Sequence, residues 1–262
     1  SFKRESVTRR SNSIRKDNTT QTLTVVEHFK GATEVGSLYL RPEYRLPGVG
    51  QMLARARYLL MASRPELFSE RVMAELRGWV NEQNESPLWQ ALGSKFFDMP
   101  FQEAVTIAAT EGPGFITELM PKQAIYIDLL PHSARDVIGK PNDASAPALR
   151  MLHREGFEHS GFVDLFDGGP SVEAQLKEIK TIRDSALTTL NITHNQAQLN
   201  DTFYISNDKL DDFKLTMAEG RVERDGSLSI STETAAALAL NCGEHVRFVT
   251  VNRSRKQSAH AA

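Results

Sequence analysis

From Leu23 onward, short apolar runs alternate with polar breaks rich in glycine and proline, a pattern of short strands and helices in one α/β chain. Leu23-Thr24-Val25-Val26 and Ser37-Leu38-Tyr39-Leu40 are β-prone and separated by a break holding Gly31 and Gly36, which predicts two joined strands. Leu53, Ala56 and Leu60, with Met52 and Leu59 beside them, have helical spacing and predict a helix from Gln51 to about Ala62. Arg64-Pro65 closes it, because the residue before proline avoids the helical region. A strand is expected over Val72 to Gly78. Ser86-Pro87 then opens a helix that runs through Leu92 and stops at Gly93. Phe115 to Met120 has the composition of a strand ended by Pro121. Ala146-Pro147 starts a helix through Glu155, Gly161 to Phe166 forms a strand, and Asp167-Gly168-Gly169-Pro170 is a turn.

Beyond that turn, Val172 to Asp184 is expected to be helical and is followed by a polar link. Strand-like runs follow around Phe203-Tyr204-Ile205, Phe213-Lys214-Leu215, Ser227 to Ile230 and His245 to Val251, with an Ala-rich helix at Thr232 to Leu240. The order helix, glycine, aromatic, strand occurs at Trp89 to Phe96 and again at Met151 to Phe157, which points to a partly duplicated region. The expected division is a large α/β region over 1–200, its second half about 98–170, and a small α+β segment over 201–262. Residues 1–22 are polar and basic. They are expected to form a solvated, partly frayed lead-in, since no aromatic beyond Phe2 is interleaved to stack on bases.

Charge and composition narrow the function. A net charge of −2 argues against general affinity for nucleic acid or anionic membranes. The single cysteine, Cys242, excludes an internal disulfide and suits a reducing compartment. No apolar run reaches membrane-span length and no signal-peptide pattern is present, so a cytoplasmic protein is expected. His28, His132, His153, His159, His194, His245 and His260 make no close ligand pair with supporting cysteines, so no metal site is expected.

Arg45-Leu46-Pro47-Gly48-Val49-Gly50 stands between an expected strand and an amphipathic helix. An Arg-x-x-Gly-x-Gly string there suits a pyrophosphate: glycines let the backbone approach, and free amides at the helix start face the anion. Arg45 can add charge-assisted contacts. The plain alternative is a structural glycine loop; the spacing differs from the Gly-x-Gly-x-x-Gly of dinucleotide folds.

This loop resembles the acyl-CoA loop of the acyl-CoA N-acyltransferase superfamily. Further strings resemble the arginine N-succinyltransferase family in order and spacing. They include Glu34-Val35-Gly36-Ser37-Leu38-Tyr39-Leu40, Glu85-Ser86-Pro87-Leu88-Trp89, Asp136-Val137-Ile138-Gly139, Glu155-Gly156-Phe157 and Asp164-Leu165-Phe166-Asp167-Gly168-Gly169-Pro170. The resemblance implies a mixed sheet with flanking helices and transfer of succinyl from succinyl-CoA to the α-amine of arginine. The co-substrate would lie at Leu38, Tyr39, Arg45, Gly48, Val49 and Gly50. It also implies that a proton-donor histidine of the family falls at Asn142, which cannot exchange a proton near neutrality. His132 is the next candidate for that role. Glu34, Glu75 and Glu118 are candidate contacts for a cationic substrate, or else strand-end charges facing water. Family members carry an opening half-domain ahead of this region, so the pocket is expected to be incomplete or completed by another chain. A homo-oligomer or association with a paralogous subunit is expected.

Overall fold

The structure is a computed structural model and describes residues 1–251; His260 lies outside the described residues. Along the chain the elements are β1 (Phe2–Ser11), β2 (Lys16–Val25), β3 (Thr33–Glu34), α1 (Val49–Ser63), β4 (Arg71–Glu75), α2 (Ser94–Phe97), α3 (Phe101–Glu111) and α4 (Gly114–Leu119). They continue with β5 (Ile125–Tyr126), α5 (His132–Arg135), α6 (Ala146–Arg154), β6 (Glu158–Val163), β7 (Pro170–Gln175) and α7 (Lys180–Arg183). The last are β8 (Ala186–Thr193), β9 (Asp201–Asn207), β10 (Leu215–Val222), β11 (Leu228–Ser231), α8 (Thr232–Ala237) and β12 (His245–Thr250). Two compact units result: Ser1–Gly36 with Ser69–Gln175, and Ser37–Phe68 with the chain from Leu176 onward. Among the described residues no helix is long and apolar enough to cross a membrane.

The first unit holds a seven-stranded mixed sheet of order β3-β4-β7-β6-β1-β2-β5, in which only β3 and β4 run parallel. Its helices bury a core that includes Phe2, Leu23, Leu88, Ile116 and Trp89. The Trp89 ring stacks between Phe97 at 5.5 Å and Phe166 at 5.6 Å, and its indole N–H donates to the Met99 carbonyl at 3.0 Å. Ser86 caps the helical stretch Trp89–Gly93 that runs into α2, its Oγ accepting from the Trp89 amide at 3.2 Å.

In the second unit β8 to β12 close a five-stranded barrel of order β10-β11-β8-β12-β9. Leu228 and Ile230 of β11 point inward with Leu190, Ile205 and Val246, as the alternation of Leu-Ser-Ile-Ser requires. Ser231 caps α8 through the Thr234 amide. On the outside of the barrel, Leu59 of α1 packs against Tyr204 and Val249. The expected boundary at residue 200 therefore falls between two strands of one barrel.

Several expected elements differ. Residues 1–22 form most of a ten-pair hairpin, from Phe2↔Val25 to Ser11↔Lys16, and are not a frayed lead-in. Their polar side chains pair across the strands: Thr8 with Thr19 at 2.9 Å, Arg4 with Gln21, Arg10 with Asp17. Ser37 to Leu40 lies outside any strand, and Ser37 is left-handed at φ +54. Gly93 does not stop its helix but lies inside it, where a Cβ would come within 2.3 Å of the Trp89 ring. Gly156, by contrast, follows α6 at φ +97, so the two glycines of the apparent repeat do different work. Phe115 to Leu119 is helical in α4, where Ile116 and Met120, four apart, share the buried face. Val172 to Gln175 is strand, because pairing with β4 and β6 outweighs the helical propensity of Glu, Ala and Gln.

Candidate functional site

The glycine loop lies in the second unit and leads into α1. Pro42–Tyr44 makes one 3-10 turn, after which Val49 N donates to Leu46 O at 3.2 Å and Met52 N to Gly48 O at 2.9 Å. Gly48 is the N-cap residue of α1, with φ +90; a Cβ there meets nothing, so the backbone conformation itself calls for glycine. Gly50 has neither reason: its φ is ordinary and a Cβ would touch only Leu40 Cδ2 at 3.9 Å. A small residue at Gly50 leaves the first turn of α1 open to close approach. That turn contains no acidic residue and its cap makes no side-chain hydrogen bond, so the positive end of a fifteen-residue helix is left for an anion. Arg45 is exposed and donates Nε to Leu40 O at 3.1 Å, which folds the loop back toward Leu38 and Tyr39. Those two side chains are 40% and 69% exposed, available to a ligand rather than to the core.

In the first unit three of the quoted strings cross at one point. Gly139 N donates to Gly168 O at 2.7 Å, Asp164 N to Gly169 O at 2.8 Å, Leu76 N to Pro170 O at 3.1 Å and Asn142 N to Arg77 O at 2.7 Å. The crossing is so close that a Cβ on Gly169 would lie 2.0 Å from Leu76 O. Asp164 Oδ1 accepts the Phe166 and Asp167 amides at 2.7 and 2.9 Å, and Asp167 Oδ1 accepts the Gly169 amide at 2.8 Å. Asp167 is 6% exposed. Burial, then the charge of Asp164, raises its carboxyl to about 7.

The candidate residues are distributed over this frame. Glu34 on β3 and Glu75 on β4 are brought into one acidic corner with Asp164; Ser171 Oγ donates to Glu75 at 3.4 Å. Glu75 is exposed by surface area, yet loss of surrounding water, followed by the charges of Asp164 and Glu34, pushes its carboxyl upward. Glu118 is not at a strand end but on an exposed position of α4. His132 begins α5, exposed, with Arg135 Nη2 2.7 Å from its Nδ1. Asn142 closes a turn into α6: its Oδ1 accepts the Ala144 amide at 2.9 Å and its carbonyl accepts the Ala146 amide at 3.1 Å. The sequence places Asp164 in an expected strand and Asp167 in a turn, although an aspartate two or three residues before the amides it binds is a signature of such turns. Among the described residues no group of His, Cys, Asp and Glu could hold a metal ion.

Asp167 gives a pH prediction. Its carboxyl titrates near 3.9 in the unfolded chain and near 7 in the folded one. Between those values the folded state binds more protons, so this contribution to stability is full below about pH 4 and lost as pH rises through about 7. Asp167→Asn keeps an acceptor for Gly169 and offers an amide donor toward Asp164. Urea unfolding at pH 4.5 and 7.5 should show the variant gaining about 1–3 kcal/mol on the wild type between the two. Parallel behaviour of the two proteins would mean that Asp167 does not hold a proton.

A mixed sheet with flanking helices, together with a glycine loop opening an uncapped helix, defines an acyltransferase fold. Residues 1–181 match the family model described as arginine N-succinyltransferase beta subunit, and residues 187–250 match its C-terminal domain. An arginine N-succinyltransferase of Yersinia pestis (strain Pestoides F) is 35% identical over 236 residues, covering 88% of this chain and 67% of the relative. One of Salmonella typhi is 36% identical over 244 residues, covering 91% and 69%. The solved structure of arginine/ornithine succinyltransferase subunit AI from Pseudomonas aeruginosa superimposes with a TM-score of 0.83 at 29% identity, covering 96% of this chain and 72% of that one. The chain belongs to the arginine N-succinyltransferase family.

Proposed function

We propose that this chain transfers the succinyl group of succinyl-CoA to the α-amine of arginine, an opening step of arginine catabolism. The observation that carries the reading is the α1 entrance, where Gly48 is left-handed and Gly50 is glycine without a local structural need, in a chain of this family. In the reaction the amine nitrogen bonds the succinyl carbonyl carbon, the C–S bond breaks, and the amine proton leaves as the thiolate departs. The Gly50 backbone amide and the Arg45 guanidinium would hold the pyrophosphate beside Gly48 and Val49. Leu38 and Tyr39 would border the acyl arm, and a backbone amide there would face the thioester oxygen. Glu34 and Glu75 would attract the cationic acceptor, and Glu118 is kept as a third, exposed contact.

Asn142 would orient the amine or a water without exchanging a proton, since its amide cannot titrate near neutrality. His132 remains the alternative proton carrier. Much of the rate must then come from positioning, on the order of 7–11 kcal/mol in favourable cases, helped by a thiolate that leaves readily. The names beta subunit and subunit AI borne by the family and the solved relative support action within an assembly, of like copies or with a paralogous chain. A cytoplasmic setting fits the single exposed cysteine, Cys242, and the lack of a membrane-crossing helix among the described residues. The test is release of free thiol from succinyl-CoA with different acceptors. Arginine or ornithine should be preferred over glutamine, and a preference for glutamine would overturn the reading.

A further inference from the structure

At the last turn of α1, within the second unit, the barrel carries positive charge and hydrogen-bond donors that the fold leaves unused. Arg247 of β12 is half-buried; its Nε donates to Ser63 Oγ at 3.0 Å and its Nη1 to Ser185 Oγ at 3.2 Å. Among the described residues both partners are neutral hydroxyls, and no carboxylate pairs with this guanidinium. Asp208, the acid whose charge Arg247 feels, is held by Arg64: Nη1 lies 3.3 Å from its Oδ1 and Nη2 donates to its carbonyl at 2.8 Å. Arg64 also donates to the Ser63 carbonyl at 2.6 Å, so the negative end of the α1 dipole already has its cation. Two guanidiniums thus share one carboxylate. Loss of surrounding water makes the Arg247 charge harder to hold; Asp208 opposes that effect and Arg64 adds to it. The guanidinium nevertheless stays protonated at any ordinary pH, so the surplus charge is permanent.

The donors are in surplus too. An arginine carries five N–H groups, and two of them are placed here. Ser63, having accepted from Arg247, still has its own proton to give, whereas Ser185 spends its proton on the Ile182 carbonyl at 2.8 Å. Ser206 stands directly opposite Arg247 in the pairing of β9 with β12, so the two side chains leave the barrel on the same face. Ser206 is fully buried, yet its Oγ has no hydrogen-bond partner, a costly state for a hydroxyl.

We propose that a small oxyanion binds here, with the Arg247 guanidinium as the principal contact and the Ser63 and Ser206 hydroxyls as further donors. The shared chemistry is a compact anion with several acceptor oxygens, supplied either by inorganic phosphate or by a short free carboxylate; both match the planar guanidinium fork better than chloride does. The occupant ties the end of α1 to β9 and β12 and stabilises the unit that contains them. It is separate from the pyrophosphate position at Gly48, because the fifteen residues of α1 put its two ends about 20 Å apart at roughly 1.5 Å per residue.

The test uses the whole chain, titrated with inorganic phosphate or acetate at constant ionic strength against chloride, by calorimetry and thermal unfolding. A saturable heat and a rise in Tm are expected for at least one oxyanion. Phosphate alone, acetate alone or both would identify a phosphate, a carboxylate or a general oxyanion site. Gly48→Glu should leave this response unchanged; its loss in that variant would place the anion at the glycine loop and overturn the proposal. Arg247→Gln should weaken the binding at least tenfold. Should that change prevent folding, Ser206→Ala, which removes only a hydroxyl without a partner, must still weaken it several-fold. No saturable response to either oxyanion, or an affinity unchanged in the folded Arg247 or Ser206 variants, would also overturn it.

Discussion

Gly169→Ala is expected to destabilise the protein by more than about 4 kcal/mol, enough to leave much of it unfolded at ambient temperature. The new methyl would lie 2.0 Å from the Leu76 carbonyl oxygen, 2.6 Å from Gly78 N and 3.0 Å from Arg77 C. All three are backbone atoms, so no side chain can swing aside; the crossing itself has to open. Opening it would strain the hydrogen bonds of Leu76 to Pro170 and of Asp164 to Gly169, and leave buried backbone groups poorly paired. Gly226→Ala is the matched comparison. Its Cβ meets nothing, and only the left-handed backbone at φ +84 opposes it, at about 1–2 kcal/mol. Urea unfolding of both variants should separate them widely. A loss below about 1 kcal/mol at Gly169 would mean that the three strings do not cross as closely as described.

The second large effect falls on ligand affinity. Gly48→Glu is expected to lower succinyl-CoA affinity at least a hundredfold, close to 3 kcal/mol at about 1.4 kcal/mol per decade. The backbone at φ +90 makes any side chain there cost about 1–2 kcal/mol of stability. A carboxylate at a helix start partly offsets that cost through the dipole, so the variant should still fold. The same carboxylate would occupy the position proposed for the pyrophosphate and repel it. Gly48→Ala shares the backbone cost without the charge and should keep most of the affinity. Calorimetric titration distinguishes the two; equal affinity in wild type and Gly48→Glu would remove the pyrophosphate from this loop.

The region from the loop to α1 could be read from residues, because Leu53, Ala56 and Leu60 repeat at helical spacing and Gly48 marks the turn into the helix. The barrel strands β11 and β12 were legible from alternating apolar and polar positions, and β9 from its β-prone run Phe203-Tyr204-Ile205. The β1–β2 hairpin was not. Its outer half has polar side chains on both faces, so no alternation betrays the strands, and the cross-strand pairs that hold it are invisible to local pattern. The run Phe115 to Met120 is too short for periodicity to distinguish strand from helix, and Gly112 at φ +88 separates it from α3 in a way only the fold reveals. The same holds at the chemical positions. Asn142, where the family resemblance puts a proton donor, also uses its Oδ1 to close the turn into α6, a structural role that only the fold reveals. Asp164 gained its importance only when the crossing put it beside Glu75 and Asp167.

The central claim, succinyl transfer to arginine, is tested most directly by following purified protein with succinyl-CoA and arginine, measuring free CoA thiol and N-succinylarginine in the same reaction. Thiol release should depend on arginine, match the product mole for mole, and fall sharply in Gly48→Glu under subsaturating succinyl-CoA. Thiol release that is independent of arginine, or that yields no N-succinylarginine, would contradict it.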